Sequence, residues 1–288
     1  MPRNHLHLFQ LILITLGGLA LLFIISPILG IFLQSSFSEL FETGSDKKVQ
    51  ESILRTLLIS FGATLFFSIF AIPLAYFLAR KNFTGKRLIT GIIDLPIIIP
   101  HSAAGIAILG FISRDSLIGQ MAGWFGLNLV GHPIGIALAM AFVSIPFLIN
   151  ASRDGFESVP LRFEKAALTL GASPLRVFFS ISLPLAWRSI LSGFVLMFGR
   201  GMSEFGAVII VAYHPMITPV LIWERFTAFG LSYARPVAAL FIVICLLFFI
   251  GLRYITLQKV TKSAYGHVMH GDFSVSHAKL GAVRDLHG

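Results

Sequence analysis

The chain has 288 residues, 56% of them hydrophobic and only 12% charged, with a mean hydropathy of +0.87. A soluble domain carries about 25% charged residues, so this one has roughly half the polar surface that water would demand, which excludes a soluble enzyme or binding module. The net charge is +9, and in a chain this apolar an excess of Lys and Arg is first a topology signal rather than a nucleic-acid surface.

Charge is absent from the 35 residues between Arg3 and Glu39, the 24 between Arg55 and Arg80, the 37 between Asp115 and Arg153 and the 17 between Arg235 and Arg253. Of the 26 between Arg87 and Arg114, only Asp94 is charged. A bilayer core takes about 20 helical residues, and these runs predict an all-α membrane protein of six spans near 8–34, 52–79, 88–112, 132–152, 186–212 and 236–257. The first run is too long for a signal-peptide core and no small-residue cleavage site follows, so it reads as a retained helix. With the N-terminus inside, 15 of the 22 Lys and Arg residues fall on inner segments, 6 on outer ones, and Arg200 within the fifth span. The positive-inside bias then puts both termini in the cytoplasm of a multi-pass cell-membrane protein. Segment 258–288 reads as a polar, untethered cytoplasmic tail, with His267, His270, His277 and His287 too sparse for a metal tract. Cys245, the single cysteine, reads as a small packed hydrophobe.

Between spans four and five lie about 33 inner residues, Phe156 to Arg188, long enough to expect function rather than mere connection. Pro160 suits a first turn, Leu161 to Leu170 is built of good helix formers, and Gly171 sits where a left-handed residue ends a helix. Ser173 and Pro174 read as the cap and first residue of a second short helix, which should stop before Pro184. Glu164, Ala167 and Gly171 are spaced to share one helical face, and small residues there would let another protein's backbone approach closely. On pattern alone, a helix pair that simply joins two spans fits equally well.

In span five, Gly199-Arg200-Gly201-Met202-Ser203-Glu204-Phe205-Gly206-Ala207 carries an Arg and a Glu four residues apart. Charges in a bilayer must face protein or a water-filled cavity, so the two either form a structural ion pair or line a path that the glycines open for an anion. In span three, Asp94, Pro96, Pro100 and His101 lie together, followed by Ser102; the prolines break helical bonding, and the polar side chains either line the cavity or brace the helix.

The segment 156–184 resembles the EAA loop of permease subunits of ATP-binding-cassette importers. That pattern is Glu-Ala-Ala, three residues, Gly, and later Ile-x-Leu-Pro. Ala166, Ala167, Gly171, Ile181, Leu183 and Pro184 match it. The pattern's Glu falls on Lys165, with Glu164 one residue early. The fifth span resembles that of permeases for tetrahedral oxyanions through Arg200, Ser203, Glu204, Phe205, Gly206 and Ala207, with Gly199 and Gly201 replacing two Ala. Residues 94–107 and 212–226 look most like the molybdate/tungstate branch, particularly its archaeal members.

The resemblance implies a six-span type I importer permease that is non-catalytic and works as a homodimer. Two ATPase subunits would bind ATP and Mg, and an extracellular molybdate/tungstate-binding protein would deliver the anion. It further implies that Glu164, Lys165, Ala166, Ala167, Gly171, Ser173 and Pro174 couple to the ATPase. Arg200, Ser203, Glu204, Phe205, Gly206, Pro100, His101 and Ser102 are the candidates for the translocation path. The sequence has no G-x-x-x-x-G-K-[ST] phosphate loop, so this chain is expected to hold no cofactor or metal of its own. The competing readings are a sulfate-type permease, an ion-coupled carrier using Asp94, His101 or Glu204, and an intramembrane hydrolase at Ser203. The last lacks a G-x-S-x-G, and a serine needs a positioned base, for which His101 is the only histidine well inside a span.

Overall fold

A computed structural model describes residues 3–270, with side chains for 9–251. Its helices are α1 (Arg3–Leu33), α2 (Phe37–Ser45), α3 (Lys47–Arg80), α4 (Lys86–Ile98), α5 (His101–Ile112), α6 (Leu117–Trp124) and α7 (Pro133–Ser158). They continue as α8 (Leu161–Thr169), α9 (Pro174–Val177), α10 (Leu183–Met202), α11 (Gly206–Val211), α12 (Thr218–Phe229) and α13 (Leu231–His270). No strand occurs among the described residues. Five stretches are single helices long and apolar enough to cross a bilayer: Phe9–Leu33, Lys47–Arg80, Pro133–Ser158, Pro174–Met202 and Leu231–Gly251.

The predicted third span, 88–112, is not one straight helix. It is α4 and α5 meeting at 111°. The cause is local: Ile99 is extended ahead of Pro100, whose ring disfavours helix in the residue before it, and Pro100 itself has no N–H to continue the ladder. The fifth span, expected over 186–212, also breaks: α10 ends at Met202, Ser203 and Phe205 flank the break, and α11 restarts at Gly206. The helix starting at Pro174 does the reverse of what Pro184 suggests. It runs on through a π-helical turn, Phe178–Ser182, into α10. The wider turn shifts the hydrogen-bond register, and Pro184 falls in the first positions of the new α-helix, where its missing N–H costs little. Helix α13 continues to His270, past the predicted boundary at 257. Residues 271–288 of the tail, with His277 and His287, lie outside the described residues.

The bundle is centred on α3, α7 and α10. Ala71, Ala75, Leu78, Leu148, Ile149, Phe156, Ala186, Ile190 and Met197 form their common core. The helices approach closely because small residues face each other: a Cβ on Gly193 would stand 2.8 Å from that of Ala151, and one on Gly155 would stand 2.5 Å from that of Ser189. In lipid, where burial of apolar surface brings no hydrophobic gain, such close packing is what holds helices together. A second core, including Ala104, Ile108, Ile136, Met140, Ala207, Val208 and Val211, packs α5 and α11 against α7. By contrast, no residue of the apolar stretch of α1 is fully buried within the protomer, and only Gly30, Ile31 and Phe32 are half-buried.

Candidate functional site

The two breaks in the membrane-crossing helices meet. His101 opens α5, Arg200 lies in the last turn of α10, and Ser203, Glu204 and Phe205 bridge to α11. Gly206 permits the contact, since a Cβ there would come within 2.7 Å of the His101 Cβ. One turn on, a Cβ on Gly105 would lie 2.9 Å from Ala207 Cα. Irregular backbone at membrane depth survives only when buried in protein or lining a hydrated cavity, and paired discontinuous helices are how transporters build such places.

The cluster at the junction is ordered around one carboxylate. Glu204 is 1% exposed; its Oε2 pairs with Arg200 Nη2 at 2.9 Å, and its other oxygen accepts from the Ala207 N–H at 2.9 Å. Its Oε2 also lies 3.3 Å from His101 Nδ1. Arg200 Nη2 donates to His101 Nε2 at 2.8 Å, and Nη1 donates to Ser203 Oγ at 3.3 Å. The same Nη2 lies 3.2 Å from His101 Nδ1, so the guanidinium faces both ring nitrogens. The expected pair between Arg200 and Glu204 is therefore present, and His101 joins it. The His101 side chain remains 44% exposed, and Pro100, Ser102 and Ser203 are exposed beside it. Phe205 is half-buried, with its ring 5.5 Å from that of Trp223. All eight path candidates thus fall on one junction whose polar edge opens at the surface of the protomer. Asp94 belongs elsewhere: it accepts from Asn150 Nδ2 on α7 at 2.6 Å. A cavity of about 530 Å³ between α1, α12 and α13 includes none of these residues.

At the α8 and α9 end of the bundle the predicted loop helices are present. Gly171 takes φ +87° after α8, and Ser173 caps α9 by accepting from the Arg176 N–H at 3.3 Å. Lys165, Ala166, Gly171, Ser173 and Pro174 are exposed and Ala167 is half-buried. Glu164 does not share their face. It points into the bundle and accepts from Arg80 Nε at 2.9 Å and Nη2 at 2.7 Å, Tyr76 Oη at 3.2 Å and Ser182 Oγ at 2.7 Å. On a helix this short an Arg at the end of α3 can claim the carboxylate on the inner side, leaving the outer side to small and apolar residues. Sequence reasoning missed Arg80, Tyr76 and Ser182 as partners. It also missed Leu170 and Leu175, apolar side chains at 88% and 69% exposure in a polar loop, which were the available sign of a covered surface. Among the described residues, no group of three or more His, Cys, Asp or Glu could hold a metal ion.

Comparison with known proteins agrees with this architecture. The family model described as binding-protein-dependent transport system inner membrane component matches residues 71–259. The molybdate/tungstate transport system permease protein of Pyrococcus abyssi is 43% identical over 242 residues, covering 83% of this chain and 92% of that protein. The sulfate transport system permease protein of Salmonella typhimurium is 30% identical over 239 residues, covering 81% of this chain and 86% of the relative. Among solved structures, a bacterial ABC transporter that imports alginate superposes with a TM-score of 0.69 at 18% identity, over 88% of this chain and 96% of that one. The fold is thus that of an ABC importer's transmembrane subunit.

Proposed function

The chain belongs to the inner membrane components of binding-protein-dependent transport systems, and from that premise we propose that it is the translocating subunit of an ATP-driven importer of molybdate or tungstate. Two copies enclose the path, and two ATPase subunits, which bind the ATP and Mg, dock on the α8–α9 face from the cytoplasm. An extracellular binding protein delivers the anion at the opposite end, and both termini are cytoplasmic. The observation that carries the reading is the junction of two broken helices, where the Arg200 guanidinium lies beside the half-exposed His101 and the exposed Ser203 on an open polar edge. A half-site on a protomer surface becomes a closed path only when a second copy faces it. In this reading Lys165, Ala166, Ala167, Gly171, Ser173 and Pro174 form the docking face, with Leu170 and Leu175 as its apolar centre. The identity to the Pyrococcus abyssi permease supports the choice of anion.

The test is uptake into proteoliposomes containing the assembled complex. Labelled molybdate or tungstate should accumulate only with ATP, and Arg200→Lys, which keeps a cation beside the buried Glu204 but loses the forked donors, should cut the rate about tenfold while leaving assembly intact. Uptake driven by a proton gradient without ATP would sink the proposal. The similarity to the Salmonella typhimurium permease supports a sulfate importer as second reading, and excess unlabelled sulfate that abolishes molybdate uptake would favour it.

A further inference from the structure

Helix α8 is nine residues long and joins α7 through Val159 and Pro160 alone, both extended. A two-residue extended link is a hinge, and a push on the outer face of α8 would be lost there unless something stiffens it. The stiffening comes from α3. Glu164 receives four hydrogen bonds, and the Arg80 guanidinium that supplies two of them also donates to the Val159 carbonyl at 3.2 Å. One side chain at the end of α3 therefore grips both the hinge and the helix beyond it. The grip is dry: the side chains of Arg80 and Glu164 are 9% and 8% exposed. It is also packed, with the Tyr76 ring 5.2 Å from Phe156 of α7 and 4.9 Å from Phe178 of the π turn, while the Arg80 guanidinium lies 5.8 Å above it. Elements α3, α7, α8 and the π turn leading into α10 converge on this carboxylate. In its first half α3 holds α10 directly, Ser60 Oγ donating to the Phe198 carbonyl at 2.9 Å, two residues before Arg200.

We propose that Glu164 is a positioning residue, not a docking one: through Arg80 it makes α3 a driven element of the transport stroke. Displacement of α8 then moves α3 together with the two spans that the loop joins covalently, and α3 delivers that movement to the segment of α10 bearing Arg200. This rests on the importer reading above. It adds a third route for the stroke, one that does not follow the chain.

The experiment uses the complete complex in proteoliposomes. Removing one charge alone would strand the other in a dry site, so the informative variant is Arg80→Met with Glu164→Leu, which keeps the volume and removes both charges. It should assemble with the ATPase subunits as the wild type does, but move about fivefold fewer anions or less per ATP hydrolysed, the low end of a typical coupling between sites. Arg80→Lys, which keeps the charge but not the fork, should fall between. Unchanged transport per ATP in the double variant overturns the proposal. A second measurement does not depend on that variant assembling. Spin labels replace the exposed Lys81 and Thr169 in a Cys245→Ala background. Their separation should stay the same between nucleotide-free and ATP-bound complexes, while the two copies of position 81 move relative to each other. A Lys81 to Thr169 distance that changes as much as the distance between copies also overturns it. If the wild-type complex shows no anion-dependent ATP hydrolysis at all, the importer reading fails, a result distinct from either of these.

Discussion

Gly199 and Gly201 stand two residues apart in the last turn of α10, yet their surroundings differ. A Cβ on Gly199 meets nothing within 4 Å, whereas one on Gly201 would lie 2.8 Å from Ser60 Oγ, the hydroxyl that holds the Phe198 carbonyl. Gly199→Ala should therefore raise stability by up to about 1 kcal/mol through helix propensity. Gly201→Ala should lower it by about 1–3 kcal/mol through overpacking and loss of that hydrogen bond. Thermal unfolding in detergent compares the two, and equal shifts would refute the packing seen here. At the same scale lies the clearest limit of reading the sequence. The i, i+4 spacing suggested the pairing of Arg200 and Glu204, which forms across the end of α10 rather than along it, but His101 joins them only because α5 folds back at Pro100, and no spacing rule links residues 101 and 204.

Among the elements, α3 is tied at both ends to parts of the chain distant in sequence. Its far end holds the Glu164 knot. At its start Asp46 accepts from the Lys48 N–H at 2.8 Å and pairs with Arg225 of α12. Partial burial acts to raise the Asp46 pKa, but hydrogen bonds from the Lys48 N–H, Arg225 and the Val49 N–H, with the charge of Arg225, outweigh it and hold the carboxyl below its ordinary value of 3.8. The sign follows: a group whose folded pKa is depressed adds stability that is complete above its unfolded pKa and is lost as pH falls through the folded value. Acidification below about pH 4 should therefore loosen α12 from α3. Asp46→Asn should remove that acid-dependent component from a pH series of melting temperatures, and an unchanged acid limb would count against the pairing. Element boundaries were legible in the sequence where local chemistry set them, as at Gly171 and Ser173. They were not legible where tertiary contacts did. The break at 203–205 depends on Glu204 turning to accept from the Ala207 N–H, and the helix through Pro184 depends on a π turn that Ser182 secures from Glu164. The inward direction of Glu164 required Arg80, which in sequence terms was only one more cation at a span's end.

At the scale of the molecule, besides the α8–α9 face, two surfaces among the described residues lack a partner within the protomer: the flank of α1, exposed along most of its apolar stretch, and the polar edge at Ser203 and His101. The first suits lipid. The second does not, since exposed hydroxyl and imidazole groups at membrane depth call for water or protein. A two-fold assembly that closes over this edge brings the two copies of Ser203 to face each other across the path. In a Ser203→Cys, Cys245→Ala complex, a short bifunctional thiol reagent should link the protomers covalently, as read by gel mobility. Complete failure to cross-link in assembled complex would place this edge away from the axis.

The bend at Pro100 also decides where water can go. Helix α5 begins there without a side-chain cap, and the first N–H groups of any helix have no partner within it. In hydrocarbon each such group would cost several kcal/mol, so an uncapped helix start persists at membrane depth only where protein or water completes it. With Pro100 and Ser102 exposed on the protomer, the start of α5 is open to such completion from outside the chain, and an oxyanion reaching it would meet unpaired N–H donors in place of its hydration shell.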